Sequence, residues 1–469
     1  MRYLVFLCLV LLGCNKPAGK YETWRPHYHF TPERNWTNDP NGLLYSKGEY
    51  HLFYQHNPFG NRWGHMSWGH AVSKDLLHWE HLPVAIGEYT DANGDSVMIF
   101  SGSAVNDGDS IAAIYTSHIH KAGNGIRQNQ SLAYSSDNGR TFTRYANNPV
   151  LDINRKDFRD PKVFWHEPQQ KWVLAAVVPD KHKVQLYQSK DLEGWELMSE
   201  FGPLGDTTKI WECPDLFRIP LESDPSRSKW MMVLSNSHPQ GGPFVGMQYF
   251  VGEFDGNTFT ADSASQYPLY VDYGKDFYAA ITFNDAPNDK PVLLGWVNNW
   301  AYANDLPTTP WKGAMSLPRE LSLFDSPDGL RLRQRPAIQL DTVSTTELSG
   351  SVYIEIELDA SAPDSKIGVK LFNDIEIGFD GATKTVFVDR RQSKNTGFHP
   401  SFASIEQAPA RIVNGKIYLS VYVDQSIVEV FINDGEAVIT DLFFPGESHS
   451  IEPIGTGGVT WRAWNIREL

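Results

Sequence analysis

Ser73-Lys74-Asp75-Leu76-Leu77-His78-Trp79 is nearly repeated as Ser189-Lys190-Asp191-Leu192-Glu193-Gly194-Trp195. Looser copies stand at Ser135-Ser136-Asp137-Asn138-Gly139-Arg140-Thr141-Phe142 and Glu253-Phe254-Asp255-Gly256-Asn257-Thr258-Phe259. In chain order the four aspartates are 62, 54 and 64 residues apart. Each copy follows a short strand-like run, such as Gln185-Leu186-Tyr187 or Gln248-Tyr249-Phe250, so each reads as a β-hairpin turn. A hairpin unit recurring about every 60 residues in all-β sequence predicts the blades of a propeller. That period exceeds the usual blade repeats, which predicts long loops between the strands.

The residues with chemistry to offer keep the same rhythm. Three motifs set a carboxylate beside an aromatic residue with proline close behind: Trp36-Thr37-Asn38-Asp39-Pro40-Asn41-Gly42, Phe158-Arg159-Asp160-Pro161 and Trp211-Glu212-Cys213-Pro214-Asp215. Asp39, Ser101, Asp160, Glu212 and Tyr278 follow one another at intervals of 62, 59, 52 and 66 residues. Radial repetition carries equivalent positions of successive blades to one axis, so residues remote in sequence converge on one pocket. Five such positions imply five blades over residues 21–340. Paired carboxylates against apolar walls suit glycosidic bond cleavage, one as acid and one as nucleophile or base. Taken alone, Asp39 in Asp-Pro-Asn-Gly reads as turn chemistry and Glu212 as an ion-paired glutamate. Three such motifs at blade spacing predict a carbohydrate-cleaving enzyme.

After Pro336 the texture changes. Ser351-Val352-Tyr353-Ile354-Glu355-Ile356-Glu357-Leu358 and Lys416-Ile417-Tyr418-Leu419-Ser420-Val421-Tyr422-Val423 alternate apolar and polar residues, as strands with one buried face do. Ile427-Val428-Glu429-Val430-Phe431-Ile432 runs into a hairpin signal at Asn433-Asp434-Gly435. Several such strands predict a C-terminal β-sandwich over residues 345–469, with the boundary in the Thr- and Ser-rich residues 341–349. Removing that domain should expose apolar propeller surface without touching the chemistry.

At the other end, Met1-Arg2 precedes an apolar run from Tyr3 to Leu12, then Gly13 and Cys14. This matches a secretory signal and falls short of the roughly 20 residues that span a bilayer. Leu11-Leu12-Gly13-Cys14 resembles a bacterial lipoprotein processing site. The resemblance implies cleavage before Cys14 and a lipid on it. Residues 1–20 are then signal and short linker, and the chain is anchored to a membrane at the periplasmic face or the cell surface. Cys213 is left as the one unlipidated thiol of the mature chain, so no internal disulfide can form. A net charge of −15 offers no basic footprint and excludes nucleic acid as a partner. Most of the 15 tryptophans and 20 tyrosines must be core, and a surplus facing a cleft would stack on sugar rings.

Taken together, the chain resembles glycoside hydrolase family thirty-two, the invertases, inulinases and levanases. The carriers are Trp36 to Gly42, Phe100-Ser101-Gly102-Ser103, Arg159-Asp160-Pro161 and Glu212-Cys213-Pro214-Asp215, within a match from Pro26-His27-Tyr28-His29-Phe30 to Asp434-Gly435. The resemblance implies an all-β fold, a five-bladed β-propeller followed by a β-sandwich, and cleavage of β-fructofuranosidic bonds with retention. It makes Asp39 the nucleophile that forms a fructosyl-enzyme, and Glu212 the acid and then base. Asp160 would hold fructose hydroxyls and stabilise the transition state, while Arg159 holds Glu212 or the sugar. A retaining pair implies carboxyls roughly 5–5.5 Å apart. Trp36, Asn38, Gln55, Trp63, Phe100 and Ser101 fall on positions that line the family's fructose subsite, with Tyr278 and Trp296 added from the fifth blade. Cys213 would tune Glu212. The resemblance implies neither metal nor cofactor, and the chain is expected to act as a monomer.

Asn61-Arg62-Trp63-Gly64-His65-Met66-Ser67-Trp68-Gly69-His70-Ala71 resembles fructan-degrading exo-inulinases and levanases, so levan or inulin is the expected substrate, with sucrose beside them. Three alternatives stay open. A fructosyltransferase would share the intermediate but pass it to a sugar hydroxyl. A non-catalytic fructan-binding lipoprotein would be expected to have lost a carboxylate, and all three are present. An inverting propeller enzyme acting on arabinose or xylose chains would hold its carboxyls roughly 6.5–9.5 Å apart.

Overall fold

The computed structural model describes residues 22–237, 246–263, 266–344, 347–361, 366–456 and 458–467. The signal segment and the expected lipid-bearing Cys14 lie outside the described residues. The protein is all-β, a five-bladed propeller followed by a sandwich. Five inner strands, Asn35–Ser46, Ser96–Asp107, Arg159–His166, Ile210–Leu221 and Tyr278–Thr282, pack side by side in a ring, the last against the first. Antiparallel strands step outward from each, in blade one through Glu49–Asn57, Ser67–Ser73 and Trp79–Ile86. Blades four and five touch edge to edge through a single parallel pair, Leu221 with Leu323, and so form one continuous sheet. Late chain closes the ring: Trp311–Lys312 adds parallel to Asn35 and Trp36 of the first inner strand.

The repeated motif is the turn between the third and fourth strands of a blade. Its aspartate caps the backbone across the turn. Asp75 Oδ1 accepts from the N–H groups of Leu77 (3.0 Å) and His78 (2.8 Å). Asp191 Oδ1 does the same for Glu193 and Gly194, both at 3.0 Å, and Asp255 Oδ1 for Asn257 (2.8 Å) and Thr258 (2.7 Å). The next residue takes a left-handed conformation in all four copies: Leu76 (φ 65), Asn138 (φ 54), Leu192 (φ 66) and Gly256 (φ 94). Leucine is strained there, and it is held because both leucine side chains are buried in the blade cores. The long period comes from long loops in blade one, where nine residues separate Asn57 from Ser67, and from strand length in blade two. In blade two, Ser96–Asp107, Ser110–Lys121 and Asn124–Ser135 are 12 residues each and are joined by tight turns. Strand length fills that blade's repeat.

Polar side chains plug the axis of the ring. Asn284 Nδ2 donates to the carbonyls of Ala104 (2.8 Å) and Val163 (2.9 Å), from blades two and three. Lys162 of blade three lies 3.3 Å from Asp215 of blade four and donates to the Thr282 carbonyl of blade five at 2.6 Å. Asp215 Oδ2 also accepts from Thr282 N (2.6 Å) and Oγ1 (2.7 Å). Both charges are fully enclosed, so removing one leaves the other without compensation. Asp215→Ala is expected to cost about 3–5 kcal/mol of stability, read as a lower urea midpoint. An unchanged midpoint would show that the pair holds nothing together.

The C-terminal part stacks a six-stranded sheet on a five-stranded one around an aliphatic core. Ile427–Ile432 and Ala437–Leu442 form the hairpin expected at Asn433-Asp434-Gly435. Its seam with the propeller is polar as well as apolar, unlike the expectation. His29 lies between Asp424 (2.9 Å) and Glu429 (3.1 Å), and Glu429 also takes Arg319 Nη2 at 2.6 Å. Nearby, Asp276 accepts from sandwich residues Arg390 Nη1 (2.5 Å) and Leu442 N (2.9 Å). Loss of the sandwich would therefore strand buried charges as well as apolar surface. One of these, Asp276, lies two residues before Tyr278.

Candidate active site

All five inner strands slip register against their neighbours at the residues singled out in the sequence. The slips fall between Thr37 and Pro40, Phe100 and Gly102, Arg159 and Lys162, Glu212 and Asp215, and Tyr278 and Ile281. A bulge leaves residues out of the ladder and re-aims their side chains. Proline, which has no N–H to give the ladder, fits there: Pro161 and Pro214 lie within slips and Pro40 bounds one. Asp160 (φ 60), Cys213 (φ 47) and Ala279 (φ 53) are left-handed without being glycine, so the strain sits at the pocket. Gly42 (φ 53) ends the first motif where a Cβ would stand 2.6 Å from the Phe53 ring.

The bulges bring the two aspartates together around Cys213 and set Glu212 beside them, with Arg159 Nε 3.8 Å from Asp160. Asp39 Oδ2 accepts from Ser101 Oγ at 2.7 Å, and Oδ1 from Asn38 Nδ2 at 2.9 Å. Cys213 joins two acids: its N–H donates to Asp160 Oδ2 at 2.9 Å, and Sγ lies 3.6 Å from Asp39 and 3.7 Å from Asp160. Glu212 is held from both sides, by Arg159 Nη2 (3.0 Å) and Nε (3.2 Å) on Oε1 and by Tyr278 OH (2.5 Å) on Oε2. Arg159 thus grips the glutamate, one of the two roles expected of it. The Cys213 thiol faces the two aspartates, while both Glu212 oxygens are taken by Arg159 and Tyr278.

Enclosure sets the electrostatics. Burial pushes Asp39 above the ordinary carboxylate range, Ser101 and Asn38 pull it back, and Glu212 repels it. Burial pushes Asp160 up to about 7 against the pull of Arg159, with further repulsion from Glu212 and Asp39. Burial and the three surrounding acids raise the Cys213 thiol well above its usual value, so it stays protonated and unreactive. The cluster offers an enclosed carboxylate fixed by two donors and a second carboxyl fixed by a cation and a phenol. Those are the parts of an acid-and-nucleophile pair.

The other predicted residues fall into two groups. Trp63 is 40% exposed and meets the half-buried Phe100 edge-on at 6.2 Å, so both can present aromatic surface to a ligand. Trp36 and Trp296 are fully enclosed. Trp36 Nε1 donates to Asn38 Oδ1 at 2.6 Å, and its ring packs near Trp296 (6.1 Å) and Trp300 (6.0 Å). These two indoles back the Asn38–Asp39 pair. Gln55 is buried and donates to the Ile99 carbonyl at 3.0 Å, beside the Ser101 bulge. Thr37 Oγ1 donates to the Gln55 carbonyl at 3.0 Å.

Two supports escaped the motif reading. Gln128 Oε1 accepts from Arg159 Nη1 (3.3 Å) and Phe158 N (2.9 Å), and Thr116 Oγ1 accepts from Asp160 N (3.0 Å). The available signal was Gln128-Asn129-Gln130-Ser131, a polar run in a strand where all four residues are buried. Such a run demands partners.

Comparison with known proteins agrees with this geometry. Residues 29–336 match Glycosyl hydrolases family 32 N-terminal domain, and residues 329–465 match Glycosyl hydrolases family 32 C terminal. A levanase of Bacillus subtilis (strain 168) is 45% identical over 96% of this chain and 71% of its own length. An extracellular exo-inulinase of Aspergillus awamori is 37% identical over 96% of this chain and 95% of its own. The crystal structure of exo-inulinase from Aspergillus awamori superposes with a TM-score of 0.87 at 36% identity, covering 95% of this chain and 98% of that one. The chain belongs to glycosyl hydrolase family 32.

Proposed function

We propose that the protein hydrolyses β-fructofuranosidic bonds in levan or inulin, and in sucrose, by double displacement with retention. Asp39 attacks the anomeric carbon while Glu212 protonates the leaving oxygen. Glu212 then takes a proton from water, which releases fructose from Asp39. Asp160 binds fructose hydroxyls and stabilises the oxocarbenium-like transition state. Ser101 and Asn38 orient Asp39; Arg159 and Tyr278 orient Glu212. Trp63 and Phe100 face the sugar, Gln55 shapes the Ser101 bulge, and Trp36 and Trp296 support the site from behind. The observation that carries this reading is the Cys213 bridge, which joins Asp39 and Asp160 beside the clamped Glu212. Relatives named levanase and extracellular exo-inulinase support the substrate class and export. A lipid on Cys14, a monomeric state and a domain division within residues 341–349 complete the proposal.

Methanol tests the mechanism. With sucrose as donor, methanol should intercept the fructosyl-enzyme and give methyl β-fructofuranoside, identified by nuclear magnetic resonance. The α product would show inversion and overturn the double displacement.

The pH profile tests the nucleophile's environment. Asp39 acts ionised, so kcat/KM should fall as pH drops through its raised pKa. Ser101→Ala removes a hydrogen bond that holds this pKa down, so the acid limb should move to higher pH. Sucrose hydrolysis across the acid range reads this shift, and an unmoved limb would separate Ser101 from Asp39.

A further inference from the structure

We propose that the opposite mouth of the propeller binds a neutral oligosaccharide, a segment of fructan chain on the functional reading above. The inner strands begin near the candidate site and end at Asp107, His166, Leu221 and Thr282. Around these far ends opens a cavity of about 1100 Å³. Asn284 and the Lys162–Asp215 pair fill the axis between, so this cavity is separate from the site of cleavage.

Its chemistry suits a sugar. Trp165 is 39% exposed, and its Nε1 is fixed on Glu167 Oε2 at 2.6 Å. It meets Trp172 edge-on at 5.0 Å and 67°. An indole locked in this way loses little entropy when a ring stacks on it. Phe217 and Trp230 extend the aromatic lining. Among the described residues the lining holds four cationic and four anionic side chains, so no sign prevails and no ion is favoured. Lys290 pairs with Glu320 at 2.7 Å, and Asp285 accepts from Asn106 at 2.8 Å. The lining thus sets aromatic faces beside hydroxyl, amide and evenly balanced charged groups, a mixed surface that can stack on and hydrogen-bond a neutral polyol. Holding a polymer at a second point raises the local concentration of its ends at the first.

Calorimetry on Asp39→Ala protein with a short fructo-oligosaccharide should resolve two sites. Adding Trp165→Ala should leave one, and Trp165→Phe should restore the second by keeping a stacking ring. In otherwise native enzyme, Trp165→Ala should raise KM for polymeric fructan by about fivefold or more and leave sucrose kcat/KM unchanged. Ser226→Arg, at an exposed position of the strand Asp224–Ser237 that lines the cavity, should have the same effect by obstruction. One binding site in Asp39→Ala protein with an unchanged polymer KM in both variants would overturn the second site. A wild-type protein inactive on every fructoside would instead overturn the functional reading on which it rests.

Discussion

Asp39→Ala should lower kcat on sucrose by about 10⁴- to 10⁶-fold without lowering the melting temperature. A nucleophile cannot be replaced by its surroundings, because the covalent intermediate splits one hard step into two easier ones. Stability should survive for a reason visible in the site. Asp39 is enclosed, and burial opposes its charge. Truncation removes that desolvation cost along with the acceptor of Ser101 and Asn38, two opposing changes of about 1–3 kcal/mol each. Near-native turnover would refute the assignment.

Glu212→Ala should cost about 10²- to 10⁴-fold on sucrose and far less on β-fructofuranosyl fluoride, whose leaving group needs no proton. Glu212→Gln gives the cleaner comparison. It keeps a side chain between Arg159 and Tyr278 but cannot act as the acid. Equal losses on the two substrates would mean that Glu212 only positions its neighbours.

Both variants lie on features that the sequence reveals unevenly. Blades were legible because one turn recurs: an aspartate caps backbone N–H across the turn, and the residue after it turns left-handed. Leu76 and Leu192 make the pattern conspicuous, since leucine there is costly unless the blade core holds it. Two carboxylate–proline pairs, Asp39-Pro40 and Asp160-Pro161, were legible as motifs, but singly they read as turns. Their physical role is to break the ladder of an inner strand, and pairing register emerges only from the folded sheet. The motifs could not say what Ser101, Cys213 or Tyr278 touch, because those contacts cross between blades. Gln128 and Thr116 stayed hidden for the same reason, since each supports a residue from a neighbouring strand. The seam escaped too: His29, Arg319 and Glu429 are ordinary polar letters until folding encloses all three.

The central claim is cleavage of fructosidic bonds at Asp39. It is tested most directly by chromatography of the products from sucrose, inulin and levan, with Asp39→Ala as control. Fructose should appear with the native protein and be absent with the variant, and the preferred polymer identifies the linkage. No release from any of the three, or equal release by both proteins, would contradict it.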